Sequence, residues 1–584
     1  NITDPAFILE LDGMLVPLSG VVPQPITYQA FTVTVGNPNH PPSAIATVTT
    51  PTVITGSGVG LSVSNLADPD NGSVTVSVDW DANGTTDYTS GAIPVPGGPV
   101  AYNSQTHGGM TFTFVPPGPD YRTLKVFVSD GAATVEITPG LGPNNEHFQV
   151  IANQAGWVRT WGAAVNDTRC WGVAVDGAGN TYAVGFFSSG ANMGGGPRTT
   201  NGNLDIFVAK FDPAGTYLWD RTFGSTGQDE ARAVACDNAG NVVITGIYTG
   251  TINFGGGGRP AVTGFDAFAV KLDPSGVYGW DKTWATVGDD LAWGAGMNAA
   301  GTEVAITGKH AGGLDFGGGF RSGNRRFVVR HNMATGAYVW DAPWTVTQGI
   351  NVYGDCEYDA SGNLYVMGHY ESGNDFGSGP QGTFGSDDVF LCKFTAPGTF
   401  AWVQVFGGPS TEVGQALAID SAGNPIVAHK SFGTMTYLSG MATGANQGVV
   451  KFNPAGTRLW DYFFLSGGSN WGLAVDGADN IAFTGGFTGS VNFGGGLRSA
   501  GGGFGSMLVK LSSGGVYIWD AIFAAGSGVN YSFGLDSAPD GSYRVAGNFT
   551  GTKDFDPSPA TFNVTAAGSG SSAHLCRING NGLW

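Results

Sequence analysis

Short apolar runs separated by Gly, Asn and Asp recur along most of this chain. In one stretch the runs 231–237, 242–248, 266–272 and 277–284 follow one another, with polar, glycine-rich segments between them. Each run has the length and the β-branched and aromatic content of a strand, and the segments between them favour turns. The pattern predicts four consecutive β-strands, which is the composition of one blade of a β-propeller.

This four-strand unit is repeated. A Gly followed four residues later by a Trp closes each copy, and the Trp-to-Trp intervals, counted from Trp157, range from 58 to 65 residues. A period of this length, filled with strands, indicates an array of propeller blades rather than a helical solenoid. The seven pairs are Gly215/Trp219, Gly276/Trp280, Gly336/Trp340, Gly398/Trp402, Gly456/Trp460, Gly515/Trp519 and Gly580/Trp584.

Two further features also occur seven times. An Asp or Asn is predicted at the turn between the first two strands, at Asp176, Asp237, Asn298, Asp359, Asp420, Asp476 and Asp536. A basic residue ends the third strand, at Lys210, Lys271, Arg330, Lys393, Lys451, Lys510 and Arg577. Because both recur in every unit, we interpret them as structural. The Asp caps its turn, and the basic residue pairs nearby or extends its head into water.

The two ends of the array predict how the ring closes. The last copy stops at 581–584, where its fourth strand would begin, and segment 155–163 has the pattern of a fourth strand without a blade of its own. We therefore predict that residues near Trp157 pair into the last blade beside 573–578, which removes the open sheet edge. Trp157 and Trp584 would then compete for one position.

Several phrases of the array resemble a known family. The segments VDGAGNTYAVG, YTGTINFGGG, FTGTKDFDPSPATFNVTAAGS and DIFVAKFDPAGTYLWDRTFG are similar to the bacterial seven-bladed β-propeller repeat family. The resemblance covers the array from about residue 154 onward. Members of that family are typically secreted or surface proteins without common catalytic residues. The resemblance therefore implies a fold and a location, and it transfers no catalytic residue.

A different composition precedes the array. Residues 38–148 are rich in Val, Thr, Ser and Pro, with alternating strands such as 73–80 and 124–128 that are typical of a β-sandwich. The phrases NHPPSA, LADPDNGS, VDWDANGTTDY and VFVSDGAATVEI resemble cadherin-like and polycystic-kidney-disease-type domains of bacterial surface proteins. The predicted fold class is all-β, an immunoglobulin-like β-sandwich followed by a seven-bladed β-propeller of four-stranded blades.

Residues 1–37 hold about three strand-like runs, which are too few for a domain. Three interpretations stay open: a domain remnant, a hairpin packed on its neighbour, or strands donated to another subunit. The predicted domains are thus N-terminal strands at 1–37, a β-sandwich at 38–148 and the propeller at 149–584.

The chain carries few charges, and most of them are acidic. Charged residues make up 12% of the sequence and the net charge is −20. Nucleic acid is an unsuitable partner, because phosphate binding requires a basic face. No apolar run approaches the about 18 residues of a membrane span, and the first residues lack the pattern of a signal peptide. A surface rich in Gly, Ser, Thr and Asn is typical of an extracellular or cell-surface location.

The five cysteines match no zinc or disulfide spacing, and we interpret most of them as buried small apolar residues. They are Cys170, Cys236, Cys356, Cys392 and Cys576.

The sharpest local motif lies in the predicted sandwich. Oxygen-bearing residues alternate along it and Gly84 occupies the sixth position, as in the first half of a calcium loop. Ser90 stands at position twelve, where such loops have Glu, so another carboxylate would have to complete a Ca²⁺ site. The other interpretation is an Asn-Gly hairpin with solvated acids. The candidate ligands are Asp79, Asp81, Asn83, Thr85 and Asp87.

The fourth unit differs from the others just before its turn. Six units have only small residues two and four positions before the turn residue, whereas the fourth has Asp355 and Glu357. Carboxylates packed near the axis lose hydration and need partners. Lys309, His369 and Lys430 share one position on the second strands of units three to five. These five residues form a candidate ligand-binding patch near a channel mouth, and the alternative is a charge-satisfied seam between blades.

These observations favour a binding protein over an enzyme. No serine elbow, Walker loop, dinucleotide fingerprint or zinc-protease motif occurs, so no catalytic residue is assigned. We expect a non-catalytic extracellular surface protein, an adhesion or structural component of an assembly, whose propeller binds protein, glycan or further copies of itself. The alternative is a propeller lyase or hydrolase that acts on polysaccharide through Asp355, Glu357 and His369.

Overall fold

The computed structural model of the chain divides into two compact units, Asn1–Gln154 and Ala155–Trp584. In the second unit it describes residues 156–582 except 164–166, 324, 343, 345–353, 438–439, 443, 445, 524–527 and 558–560. In the first unit it describes the backbone of thirteen strands between residues 29 and 151. Within these described ranges there is no helix long and apolar enough to cross a membrane.

The second unit is a seven-bladed β-propeller of four-stranded blades, as predicted. Each blade is an antiparallel sheet, and the strands of blades 1 to 6 follow the chain outward from the axis. From the innermost strand outward they are Arg169–Val175, Thr181–Phe187, Asp205–Phe211 and Tyr217–Phe223 in blade 1; Glu230–Cys236, Val242–Tyr248, Asp266–Leu272 and Tyr278–Trp284 in blade 2; Leu291–Met297, Glu303–His310, Arg325–Asn332 and Tyr338–Asp341 in blade 3; Gly354–Tyr358, Leu364–Tyr370, Asp388–Phe394 and Phe400–Phe406 in blade 4; Glu412–Ile419, Pro425–Ser431, Asn446–Phe452 and Arg458–Leu465 in blade 5; and Ser469–Val475, Ile481–Asn492, Leu497–Leu511 and Tyr517–Phe523 in blade 6.

The second and third strands of most blades are joined through a further small hairpin. In blade 6 the two long strands themselves form this extension. The separate hairpins are Thr251–Asn253 with Gly258–Pro260, Leu314–Asp315 with Phe320–Arg321, Asn374–Asp375 with Pro380–Gln381, Met435–Tyr437 with Gly440–Ala442, and Thr552–Asp554 with Asn563–Thr565.

The ring closes through the strand Trp157–Trp161. Blade 7 consists of Asn530–Ser537, Tyr543–Phe549 and Ser572–Ile578, and Trp157–Trp161 pairs antiparallel with the last of these as its outermost strand. The innermost strands of blades 7 and 1 are in contact, so the circle is complete. The predicted closure is confirmed. Trp157 occupies the contested position, and Trp584 lies outside the described residues.

The repeated Trp and Gly meet between neighbouring blades. A Cβ atom at Gly215 of blade 1 would lie 2.5 Å from the ring of Trp157, so only glycine lets the indole rest on the backbone there. Gly215 also has φ +78°, a conformation that side chains disfavour. The indole Nε1 of Trp157 donates a hydrogen bond to the carbonyl oxygen of Pro213 at 3.1 Å. We call this arrangement the Trp–Gly contact.

The Trp–Gly contact occurs at all seven boundaries between blades. In the last copy the glycine is Gly582 and not Gly580 as predicted, because the turn of blade 7 begins at Asn579, whose carbonyl oxygen accepts from the N–H of Gly582 at 3.0 Å. The other six contacts join Trp219 to Gly276, Trp280 to Gly336, Trp340 to Gly398, Trp402 to Gly456, Trp460 to Gly515, and Trp519 to Gly582.

The repeated Asp caps its turn and holds the repeated basic residue, as predicted. In blade 5, Asp420 Oδ1 accepts from the N–H groups of Ala422 and Asn424 at 3.0 and 2.8 Å. Lys451 Nζ, from the third strand, lies 2.7 Å from Asp420 Oδ2. The two features therefore form one ion-paired turn and have no functional role of their own.

Blade 7 departs from this arrangement. Its turn residue is Ala538, whose N–H donates to the carbonyl oxygen of Ser542 at 2.8 Å, and Asp536 lies two residues earlier on the innermost strand. The prediction that Asp536 caps the turn was wrong, because blade 7 has its Asp at a position that faces the axis. Arg577 pairs instead with Asp540, at 2.8 Å.

The apolar cores lie between blades. The second and third strands of blade 1 are buried along their whole length, and one cluster joins Val184 of blade 1 to Ile244 of blade 2. The cysteines take part in this packing as free thiols: Cys236 is half-buried, and the buried ones are Cys170, Cys356, Cys392 and Cys576.

The first unit contains thirteen described strands in three sheets. Gln29–Thr34, from segment 1–37, lies between Ser73–Val78 and Leu124–Ser129 and pairs with both. The remaining strands are Ser43–Val48, Thr52–Ile54, Val59–Ala67, Tyr88–Thr89, Ile93–Pro94, Met110–Phe114, Asp120–Arg122, Thr134–Ile137, Gly140–Leu141 and Phe148–Ile151.

The candidate calcium loop lies outside the described residues. It falls between two paired strands, Ser73–Val78 and Tyr88–Thr89, a connection that both the calcium loop and the plain hairpin would make. Calcium binding therefore stays a prediction for Asp79, Asp81, Asn83, Thr85 and Asp87.

We predict that Trp157→Ala destabilises the propeller by about 3–5 kcal/mol, because it removes a buried indole and opens the closing boundary. Unfolding in denaturant, followed by intrinsic fluorescence, measures the loss. Leu218→Ala is the control: Leu218 is 47% exposed on an outermost strand, and its loss should change stability by at most about 0.5 kcal/mol. Equal effects of the two substitutions would contradict the role of the Trp–Gly contact in closure.

Candidate functional site

A cavity of about 250 Å³ lies on the axis, where the innermost strands meet. Asp355 of blade 4 and Glu357, two residues further on, line this cavity. The position of Asp355 is occupied by small residues in the other blades, which lets the strands approach one another. These residues are Gly172, Ala233, Gly294, Ala416, Gly472 and Gly534.

Asp355 is held against the neighbouring blade. Its Oδ2 accepts from the N–H of Leu417 in blade 5 at 3.0 Å, and its Oδ1 accepts from the N–H of Cys356 at 2.9 Å. Burial raises the pKa of Asp355 to about 6, although both hydrogen bonds favour the charged form. Burial, reinforced by the charges of Asp355 and Asp536, raises the pKa of Glu357 well above its usual value. Both carboxylates would therefore be stabilised by a positive charge in the cavity.

Asp536 supplies a third carboxylate beside the channel. It occupies the position of Glu357 on the innermost strand of blade 7, and its Oδ2 accepts from the N–H of Val175 in blade 1 at 2.8 Å. Burial raises the pKa of Asp536 to about 6. In the part of the chain that the structure describes, no three His, Cys, Asp or Glu side chains are placed to hold a metal ion.

The other three residues of the predicted patch do not line the cavity. Lys309, His369 and Lys430 lie on the second strands of blades 3, 4 and 5, one strand further from the axis. His369 is 1% exposed, and burial with the nearby Arg326 lowers its pKa to about 3. Lys430 Nζ donates to Ser469 Oγ at 3.3 Å. The structure thus brings the two predicted carboxylates together, and ligand binding by the five residues stays a prediction.

A ring of large side chains surrounds one end of the cavity. In six blades the register between the two inner strands shifts by one residue, as at a β-bulge, and the residue at this shift lines the cavity. Bulges redirect side chains, and here they direct large ones toward the axis. The six residues, which we call the aromatic collar, are Trp171, Arg232, Trp293, Gln415, Trp471 and Phe533.

The collar side chains contact one another around the axis. The ring centre of Phe533 lies 4.2 Å from that of Trp171 and 5.0 Å from that of Trp471. The guanidinium carbon of Arg232 lies 5.0 Å from the ring centre of Trp171 and 4.5 Å from that of Trp293. Five blades therefore contribute to one continuous aromatic surface.

Blade 4 leaves a gap in the collar. Its residue at the collar position is Gly354, immediately before Asp355. A Cβ atom at Gly354 would meet the carbonyl oxygen of Met367 at 3.3 Å and no other atom closer than 3.8 Å. The space between Trp293 of blade 3 and Gln415 of blade 5 therefore lacks a side chain at this position, next to a carboxylate.

The collar was not predicted from the sequence, although a signal for it exists. Trp171, Trp293 and Trp471 each precede a Gly on the innermost strand, so the dipeptide Trp-Gly recurs in three units outside the Gly/Trp repeat. The bulge that directs these side chains to the axis leaves no mark in the alternation of apolar and polar residues.

No protein-family model matches the chain. It is 25% identical over 384 residues to an uncharacterized WD repeat-containing protein of Acanthamoeba polyphaga mimivirus, and the match covers 50% of this chain and 27% of that protein. The chain therefore spans about a quarter of the length of this relative.

Several solved structures are similar at low identity. They include the β-propeller domain of Cps50 (Swd1) from Myceliophteria thermophila, with 9% identity, a TM-score of 0.37 and coverage of 72% of this chain and 99% of that one. Virginiamycin B lyase from Staphylococcus aureus has 8% identity, a TM-score of 0.30 and the same coverage. A Bacteroides thetaiotaomicron protein of unknown function has 11% identity, a TM-score of 0.30 and coverage of 93% and 100%. These similarities are too distant to indicate a function.

We predict that Glu357→Gln stabilises the propeller at pH 8 and has little effect at pH 4. The pKa of Glu357 is raised on folding, so its favourable contribution is complete below the unfolded pKa and is lost as the pH rises through the folded value. Glutamine avoids this loss. Calorimetry should show a melting temperature higher by about 2–4 °C at pH 8. Asp289→Asn, at an exposed carboxylate, should show no such dependence, and a larger gain at pH 4 than at pH 8 would contradict the assignment.

Proposed function

We propose that this protein is a non-catalytic binding module whose propeller holds a protein or glycan partner at the aromatic collar. The observation that carries the proposal is the collar itself: Trp171, Trp293, Trp471 and Phe533 surround one end of a cavity of about 250 Å³. Large aromatic side chains supply much of the binding energy at protein and ligand interfaces. A fold that needed only close packing at its axis would keep small residues there.

The geometry supports binding better than polysaccharide cleavage. A lyase or hydrolase that used Asp355, Glu357 and His369 would need all three at one cavity, and His369 is buried within blade 4 instead. Asp355 is also engaged by the backbone of blade 5. We therefore place the two carboxylates in the binding surface and assign no catalytic residue.

We further propose an extracellular or cell-surface role, as an adhesion or structural component of an assembly. The support is compositional: 12% charged residues, a net charge of −20 and 98 glycines. Such a surface offers the collar, rather than a charged face, as the site where a partner binds. Further copies of the same chain are one such partner, and strands from segment 1–37 are the candidate contact.

We predict that Trp293→Ala weakens binding at the collar by about tenfold or more, because it removes one aromatic wall beside the gap. The full chain and the variant are compared on a printed glycan array and on a peptide array. Phe384→Ala is the control, because Phe384 is 67% exposed on an outer loop of blade 4. Binding signals that Trp293→Ala leaves unchanged, or that both substitutions remove equally, would contradict a collar site.

A further inference from the structure

The cavity below the collar is acidic, and its acids lack ion pairs. Among the described residues, none of Asp355, Glu357 and Asp536 forms a salt bridge, and two of them accept backbone N–H groups instead. The one cation of the collar, Arg232, is already compensated, because its Nη2 lies 2.5 Å from Glu230 Oε2. The charge balance of the cavity therefore favours a positively charged ligand.

The collar already holds one guanidinium. Arg232 lies between the rings of Trp171 and Trp293, at 5.0 and 4.5 Å from their centres, which is the range of a cation–π contact. A planar guanidinium can stack on an indole face while its N–H groups stay in the plane for hydrogen bonds. The collar thus shows within the chain the contact that it offers to a ligand.

The gap at Gly354 provides a second place of the same kind. It is bordered by Trp293 on one side and Gln415 on the other, and the next residue is Asp355. A side chain that entered there would have an indole face beside it and carboxylates ahead of it. The length needed to pass the collar and reach a carboxylate suits a long, flexible side chain with a terminal charge.

We propose that the collar binds the guanidinium of an arginine side chain presented by a protein partner, between Trp293 and Gln415, with Asp355 and Glu357 as its acceptors. This inference rests on the proposed binding function and names its ligand. It chooses a protein over a glycan, because a neutral sugar would leave the carboxylates without a counter-charge. The raised pKa values of Asp355 and Glu357 agree with it, since a bound cation would lower both.

The test compares two short acetylated and amidated peptides that differ at one residue, arginine or its neutral isostere citrulline. Titration calorimetry with the full chain should show at least about tenfold tighter binding of the arginine peptide, the difference expected when a buried charge pair is formed or lost. A lysine peptide should bind more weakly than arginine, because its ammonium cannot stack. No binding of the arginine peptide, or equal binding of arginine and citrulline peptides, would overturn the proposal.

Two variants locate the site. The double substitution Asp355→Asn with Glu357→Gln should bring the arginine-to-citrulline preference close to one, whereas Asp289→Asn should keep it. Gly354→Trp should abolish arginine binding, since blades 1, 3 and 6 already carry Trp at this position and the Cβ has room. An unchanged melting temperature shows that each variant is folded. Preference retained in the double variant would overturn the proposal.

The outcomes separate this inference from the function on which it rests. Arginine and citrulline peptides that bind equally, and that both fail to bind Trp293→Ala, would leave the collar as a binding site and remove only the charge preference. Peptide binding that is independent of Trp293 would remove both.

Discussion

The Trp–Gly contact between neighbouring blades is the constraint on which this ring depends. An indole can rest on the next blade only where no Cβ intervenes, as at Gly215, and only where the backbone has a positive φ. Each contact therefore fixes how one blade lies on the next. The contact recurs at seven boundaries, and the last one, made by Trp157 on the returning strand Trp157–Trp161, joins the two ends of the array. The ring is closed by the same interaction that builds it.

Because blade packing is set at the outer strands and in the buried second and third strands, the innermost strands are free to differ. Most of them carry small residues at the axis, and the exceptions are concentrated in blades 4 and 7, at Asp355, Glu357 and Asp536. The bulged positions differ still more, from Trp171 to Gly354. Variation confined to the axis of an otherwise regular repeat is what a binding site built on a fixed scaffold requires.

Most of the fold could be predicted from the sequence, because repetition reveals what every blade needs. The Trp, its Gly, the turn Asp and the third-strand cation each recur, and their contacts are the ones expected. Asp536 was misplaced because blade 7 lacks a turn Asp and has one two residues earlier. The collar was missed because a bulge changes which way a side chain points without changing residue type. Residues that differ between repeats are visible in the sequence, but their meeting on the axis depends on ring closure.

The central claim is that the collar is where this protein binds its partner, and that it does so through a cation. An experimental structure of the full chain with the arginine peptide tests it most directly. The account predicts a guanidinium between Trp293 and Gln415, within hydrogen-bond distance of Asp355 or Glu357. A peptide bound along an outermost strand or on the loops, with the collar empty, would contradict it.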